Sequence, residues 1–399
     1  MKEEKDRYSK LERAFKILEY LKVNSDSEHT VTQAALRREP EIEPYLGDKE
    51  TYNDTIVKMA MAMNSDEYGV KSEDEWKLVF KDFIKKYGES SLDESDSEDD
   101  DDNQTMRIRG LYYNHTFSYD EINSMIESIL FSKTVDTESA NMIIEKIEKN
   151  LTTKFYKKGA KNICRVKEPV LADREILRKN LLTIQRAIDD GVQISFTFNG
   201  YDKDKKLVSN HNKKDTVSPY YIVASGGRYY LLACKELVFS EKTIRNMSIW
   251  RIDLMTEIEI PERDEKHNIN GIPSVSKWRV DNLPQSWSED FQLSHLNMSF
   301  DNPVKIKLKV KSPKEKDNPS KPLRADYTFM YDWFGDTFKY IRTGDAEPYD
   351  DIVEVKCSPY AMVNWALQYS DRVEVIEPES VRNMVIEKVM NLNKKYMNK

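Results

Sequence analysis

ISFTF (194–198), TVSPYYIVA (216–224), RYYLLAC (228–234), MSIWRIDLM (247–255) and EIEI (257–260) follow one another in a single stretch, separated by turn residues. Each is β-branched and aromatic, or alternates apolar with polar. That period predicts a small antiparallel sheet of five strands. Just upstream, REILRKNLLTIQRAIDD (174–190) is an amphipathic helix closed by Gly191, and it is expected to pack on the sheet.

Downstream, KIKLKV (305–310), ADYTFMYD (325–332), FKYIRT (338–343), DIVEVKC (351–357) and VEVIEP (373–378) read as strands. PYAMVNWALQ (359–368) and ESVRNMVIEKVMNLNKKY (379–396) read as helices. Upstream, 118–133 and 137–150 are strongly amphipathic. Ser118 with Glu121 resembles a capping box, and Thr137 is the expected cap of the second helix. At the N-terminus, residues 5–23 set Leu11, Phe15, Leu18 and Leu21 on one helical face. Thr32 can cap a short helix through Leu36, and 48–63 place Tyr52, Ile56, Met59 and Met63 on one face. Three short helices in this span suggest a helix-turn-helix, with 66–87 supplying a wing or a further helix.

Composition narrows the classes. The chain has 399 residues, of which 39% are hydrophobic and 33% charged. Its 12 glycines include neither GxGxxG nor GxxxxGK[ST]. No apolar run approaches a bilayer span, and MKEEKDRYSK has no signal-peptide core. Cys164, Cys234 and Cys357 stand far apart, which fits a reducing cytoplasm and no disulfide framework. The net charge of −8 comes from one segment: 93–102 is DESDSEDDDD, with Glu89 just before it. Residues 89–104 are therefore expected to form a disordered acidic linker. His29, His115, His211, His267 and His295 show no metal-ligand spacing, and no nucleophile motif is present. The expectation is no enzyme, no metal and no cofactor.

The five strands interleave tyrosines with arginines. Because neighbours on a strand point to opposite faces, one ring of Tyr220/Tyr221 and one of Tyr229/Tyr230 is expected inward and the other outward. Arg251 would point opposite to Trp250. An exposed tyrosine–arginine face can stack a base and hold a phosphate, and ordinary sheet packing is the alternative.

Residues 177–260 resemble the WYL domain, whose Trp-Tyr-Leu triplet stands here as Tyr229-Tyr230-Leu231. ISFTFNGYDKDKKL, TVSPYYIVASGGRYYLLAC and WRIDLM resemble its successive strands. SDSEHTVTQ (25–33) and DKETYNDTIVKM (48–59) resemble the second and recognition helices of the family's N-terminal winged helix. DWFGD, NWAL and VEVIEPESV resemble its C-terminal extension. The resemblance implies an α+β multidomain chain: winged helix-turn-helix (1–88), linker (89–104), helical connector (105–173), Sm-like WYL sheet domain (174–262) and αβ extension (295–399). It also implies a bacterial transcriptional regulator that binds double-stranded DNA, as a homodimer, and senses a nucleotide or single-stranded nucleic acid.

The carried-over ligand residues are Phe198, Tyr220, Arg228, Tyr230 and Arg251, with Arg245 as a further phosphate partner. The DNA candidates are Lys49, Thr51, Tyr52, Asn53 and Lys58, with Arg37, Arg38, Lys77 and Lys81 for the backbone. Two departures stand out. Leu254 replaces a second arginine after Asp253, and the recognition helix sets Lys49 and Lys58 against Asp48, Glu50 and Asp54. Phosphate contacts dominate DNA affinity, so an alternative is an accessory protein that reads no operator. It would bind single strands or a protein partner, in phage defence or counter-defence.

Overall fold

Serine and aspartate side chains start most of the long helices. The Ser9 hydroxyl accepts the Glu12 N–H, and the Glu12 carboxylate accepts the Ser9 N–H in return. Ser118 and Glu121 repeat this arrangement. These are features of a computed structural model that describes residues 8–88, 106–165, 174–210, 213–239, 242–260, 277–312, 314–315, 318–322, 326–346 and 348–397. The expected acidic linker lies outside the described residues. The chain divides into two compact units, 1–169 and 170–399.

The first unit opens with α1 (Lys10–Asn24), α2 (Gln33–Leu36), α3 (Glu43–Leu46) and α4 (Lys49–Asn64). A hairpin of β1 (Ser65–Asp66) and β2 (Gly69–Val70) follows. β3 (Leu78–Val79) leads into α5 (Lys81–Tyr87), and β4 (Tyr112–Tyr113) pairs back on β3. The core gathers Ile17, Leu21, Leu36, Tyr52, Ile56, Trp76, Phe80 and Phe83. The expected face of α1 is thus only half right. Leu21 is buried, but Leu11 and Phe15 face solvent, and Ile17 takes the inward place. α6 (Tyr119–Phe131) and α7 (Thr137–Leu151) pack through Ile122, Ile126, Ile144 and Ile147. The cap of α7 is Asp136 rather than Thr137, because its carboxylate accepts the Ser139 N–H at 2.8 Å.

In the second unit α8 (Arg174–Asp189) ends where Gly191 takes φ +66°, a turn that disfavours any side chain. β5 (Ile194–Tyr201), β6 (Leu207–Ser209), β7 (Asp215–Ser225), β8 (Arg228–Phe239), β9 (Lys242–Arg251) and β10 (Met255–Glu259) form one antiparallel sheet. Its order is β10-β5-β7-β8-β9, with β6 on β5. Ile194, Phe196, Val217, Leu231 and Ala233 face Leu177, Ile184 and Ala187 of α8.

After α9 (Phe291–Ser294) comes β11 (Val304–Val310), then the short pair β12 (Lys314–Glu315) and β13 (Asn318–Pro322). α10 (Thr328–Phe334), β14 (Lys339–Thr343), β15 (Asp351–Cys357), α11 (Pro359–Gln368), β16 (Val373–Glu377) and α12 (Glu379–Met397) complete the chain. The second sheet runs β14-β15-β11-β16. Its inward residues Ile306, Leu308, Val353, Val355 and Val375 meet α10 and α11. Where ADYTFMYD (325–332) is expected as a strand, Thr328–Phe334 form a helix: Asp326 accepts the Thr328 N–H at its start and Gly335, at φ +54°, ends it. The eight-residue gap between polar start and glycine stop outweighs the apparent alternation, and Phe329, Met330 and Phe334 bury at helical spacing. Among the described residues no helix is long and apolar enough to cross a membrane.

Asn64 ties α4 to β3. Its Oδ1 accepts the N–H groups of Lys77 and Leu78 at 2.7 and 3.2 Å, and its Nδ2 donates to the Leu78 carbonyl at 2.8 Å. Asn64→Ala strands these groups in a fully buried site. It should cost about 3 kcal/mol of first-unit stability, read as a lowered urea midpoint with an unchanged m-value; a loss under about 1 kcal/mol would contradict the clamp.

Candidate nucleic-acid interface

α4 was expected to read DNA, and its sequence leaves little cationic surface. Asp48 caps it by accepting the Thr51 N–H at 2.8 Å. Lys49 is exposed, while Thr51 and Asn53 are half-buried. Lys58 is bound to Asp54 at 2.7 Å. Tyr52 corrects the expectation outright: it is 0% exposed in the core, where burial raises its hydroxyl pKa. A base-reading role would need it on the other side of the helix. Arg37 donates to the Gly47 carbonyl at 2.7 Å and so braces the start of α4, while Arg38 stays exposed beside it. Lys77 donates to Thr116. The β1–β2 tip, Asp66-Glu67-Tyr68-Gly69, is acidic with a tyrosine 91% exposed. Tyr68 was not among the sequence candidates.

The sheet has two covered faces. One lies on α8. The other, carrying Val223, Leu232, Cys234 and Met247, is roofed by Leu283, Phe291 and Met298, with Trp278 and Val280. This roof also bonds to the strands: Tyr221 Oη donates to the Pro284 carbonyl at 2.9 Å, and the Trp278 N–H to Ser218 Oγ at 3.2 Å.

The expected alternation fails at Tyr220 and Tyr221, which both join the roofed cluster. Pro219 pairs with Ala233 and Tyr221 with Leu232, so Tyr220 is the extra residue of a bulge. Proline cannot continue the ladder, and a bulge beside it turns both rings to one side. The Lys277 ammonium sits 4.6 Å from the Tyr220 ring centroid and the Arg279 guanidinium 4.9 Å. Tyr220 is therefore occupied within the chain, and burial raises its hydroxyl pKa. Alternation does hold at Tyr229, which faces α8, and Tyr230, which faces the roof.

Of the six ligand candidates, three share a face at one corner of the sheet. Tyr230 and Arg251 are direct ladder partners, so their side chains rise side by side, and Arg228 follows on the same face of β8. Arg251 donates from Nε to Asp253 Oδ1 at 3.1 Å and from Nη2 to Oδ2 at 2.6 Å. This hydrogen bond raises its pKa and keeps it charged. Asp253 is buried, whereas the Arg251 side chain is 30% exposed. A guanidinium has two bidentate edges, and Asp253 fills only the Nε/Nη2 edge. Tyr201, 47% exposed, is close enough to act on the Arg251 charge. Arg228 Nε is buried and takes no hydrogen bond among the described residues.

The other three lie elsewhere. Phe198 belongs to the α8 face, edge-on to Trp250 at 5.0 Å. Tyr220 lies under Lys277 and Arg279. Arg245 stands six residues up β9, paired with Glu236 at 2.7 Å and set over the Trp278 ring at 5.0 Å. The sequence did offer one overlooked signal: Lys277-Trp278-Arg279, a basic–aromatic triplet that supplies the cations over Tyr220. Leu254 is buried in the turn after Asp253, so the corner has one guanidinium fewer than the resemblance implies.

The described residues form no cluster of His, Cys, Asp or Glu that could hold a metal. A cavity of about 460 Å³ lies between α6 and α7, lined by Ile126, Ile144, Tyr156 and Lys158, and belongs to neither expected site.

Residues 179–260 match the family profile described as WYL domain, so the second unit contains a WYL domain. The chain is similar to the solved structure of proteasome accessory factor B/C (PafBC) of Arthrobacter aurescens at 14% identity, over 73% of this chain and 39% of that one, with a TM-score of 0.24. It is also similar to a CRISPR Cas-related protein at 12% identity, over 70% and 81% of the two chains, with a TM-score of 0.28. The chain thus spans well under half the length of the first, and both superpositions are loose. No curated protein matches in sequence.

Two stability measurements test this packing. Arg251→Met leaves the buried Asp253 carboxylate uncompensated and should cost about 2–4 kcal/mol, while Arg228→Met should cost under about 1 kcal/mol; equal losses would contradict the assigned pair. Burial raises the pKa of the Cys234 thiol and pushes that of Cys357 up to about 12, whereas Cys164 is exposed. Ellman's reagent should therefore titrate one thiol in the folded protein and the other two only in denaturant. Rapid reaction of a second thiol would show that the roof or the second sheet opens.

Proposed function

We propose that this chain is a WYL-type regulator. In this reading the corner of Tyr201, Arg228, Tyr230 and Arg251 captures a nucleotide or the phosphate and base of a single-stranded nucleic acid. The N-terminal helices act as a winged helix-turn-helix on double-stranded DNA, in a homodimer. The observation that carries the proposal is the guanidinium of Arg251, locked on its Nε/Nη2 edge by Asp253 and partly exposed beside its ladder partner Tyr230. A locked guanidinium gives bidentate phosphate recognition at small entropic cost, and the neighbouring tyrosines supply the stacking surface. No covalent step is involved.

One observation favours the accessory reading over operator binding. The outward face of α4 is nearly neutral, with Lys49 beside Glu50 and Lys58 paired to Asp54. Such a helix releases few counterions, so its duplex affinity should be weak and only shallowly dependent on salt. Single strands bound at the corner would then be the main nucleic-acid partner, with a protein partner as the remaining alternative.

Fluorescence anisotropy separates the readings. With a labelled single-stranded oligonucleotide, Arg228→Ala should weaken binding about tenfold without unfolding the protein, while Lys49→Ala leaves it unchanged. With duplex DNA, Asp54→Ala should tighten binding by freeing Lys58, and a preference for one sequence supports the regulator. Absence of single-strand binding, or binding indifferent to Arg228→Ala, overturns the corner as the site.

A further inference from the structure

α12 begins as an ordinary packed helix and then runs out of protein. Val381 is buried and Val385 half-buried against the second sheet's core. From Ile386 to Met397 every residue is exposed. Yet this stretch carries Ile386, Val389, Met390, Leu392, Tyr396 and Met397, with Met390 59% and Tyr396 75% exposed. A solvent-bathed helix of three turns is marginal by itself, and one with so many apolar side chains needs a cover.

We infer that the cover is the α12 of a second copy of this chain, lying antiparallel across a two-fold axis. Ile386, Met390, Asn393 and Met397 recur at steps of four, three and four, the spacing of a coiled-coil seam. Val389 and Tyr396 flank this seam on one side. Glu387 and Lys394 flank it on the other, seven residues apart. In an antiparallel pair the same edges meet, so Glu387 of each copy lies beside Lys394 of the other, twice over by symmetry. Lys388 and Lys395 then point away into water. A parallel pair would instead crowd Lys394 and Lys395 of both copies at one end. Asn393 places an amide within the seam, which costs stability and fixes register.

This surface gives the proposed homodimer its contact. It rests on that reading for nothing else, since the test needs no nucleic acid. Sedimentation equilibrium of the full chain should give a dimer. Met390→Glu should make it a monomer without changing the thermal unfolding of the second unit, because Met390 is mostly exposed and belongs to no buried cluster among the described residues. Glu387→Lys and Lys394→Glu should each weaken the dimer about tenfold, and the double reversal should restore it. A wild-type monomer, a dimer indifferent to Met390→Glu, or a double reversal that fails to rescue would each overturn the inference. Loss of single-strand binding by Arg228→Ala in a protein that is still dimeric would leave the two claims separately judged.

Discussion

The central sheet is covered on both faces, and that constraint decides where this molecule can meet a ligand. α8 buries one side through Leu177, Ile184 and Ala187. The segment from Lys277 to Met298 buries the other, with Phe291 and Leu283 as its anchors. At about 25 cal/mol per Å² of apolar surface removed from water, neither cover is dispensable. A broad aromatic platform is therefore impossible here. What remains is the corner where β9 ends, β8 begins and the chain turns through Asp253 into β10.

The Arg251–Asp253 pair joins structure to chemistry at that corner. A buried carboxylate needs a partner, and a guanidinium held on one edge keeps the other edge in a fixed direction. The same pair stabilises the turn and orients a cationic fork. The cost of breaking it falls mainly on Asp253, which is buried, and less on Arg251, which water can still reach.

Much of the fold was legible in the sequence because its signals were local. Period-two runs marked β5 and β7 to β10, and Ser118, Thr32 and Gly191 punctuated their helices as read. What was not legible depended on partners distant in sequence. Leu11 and Phe15 share the expected apolar face of α1 with Leu21, yet the core takes Leu21 and Ile17 and leaves those two in solvent. Tyr220 and Tyr221 share a face because of the bulge at Pro219, a signal present in the sequence but overridden by simple alternation. Phe198 and Arg245 are implied by resemblance alone; strand parity sends the first to α8, and the second stands six residues along β9 from Arg251. The roof over the tyrosines could not be read from strand pattern, since it comes from a segment whose regular structure is limited to the four-residue α9 and one 3-10 turn.

Photocrosslinking of a single-stranded oligonucleotide carrying 4-thiothymidine, followed by peptide mass mapping, tests the central claim most directly. Adducts at Tyr201 or Tyr230 are the predicted result. Adducts confined to Phe198, Tyr220 or the α4 surface would contradict the corner as the place where this protein meets nucleic acid.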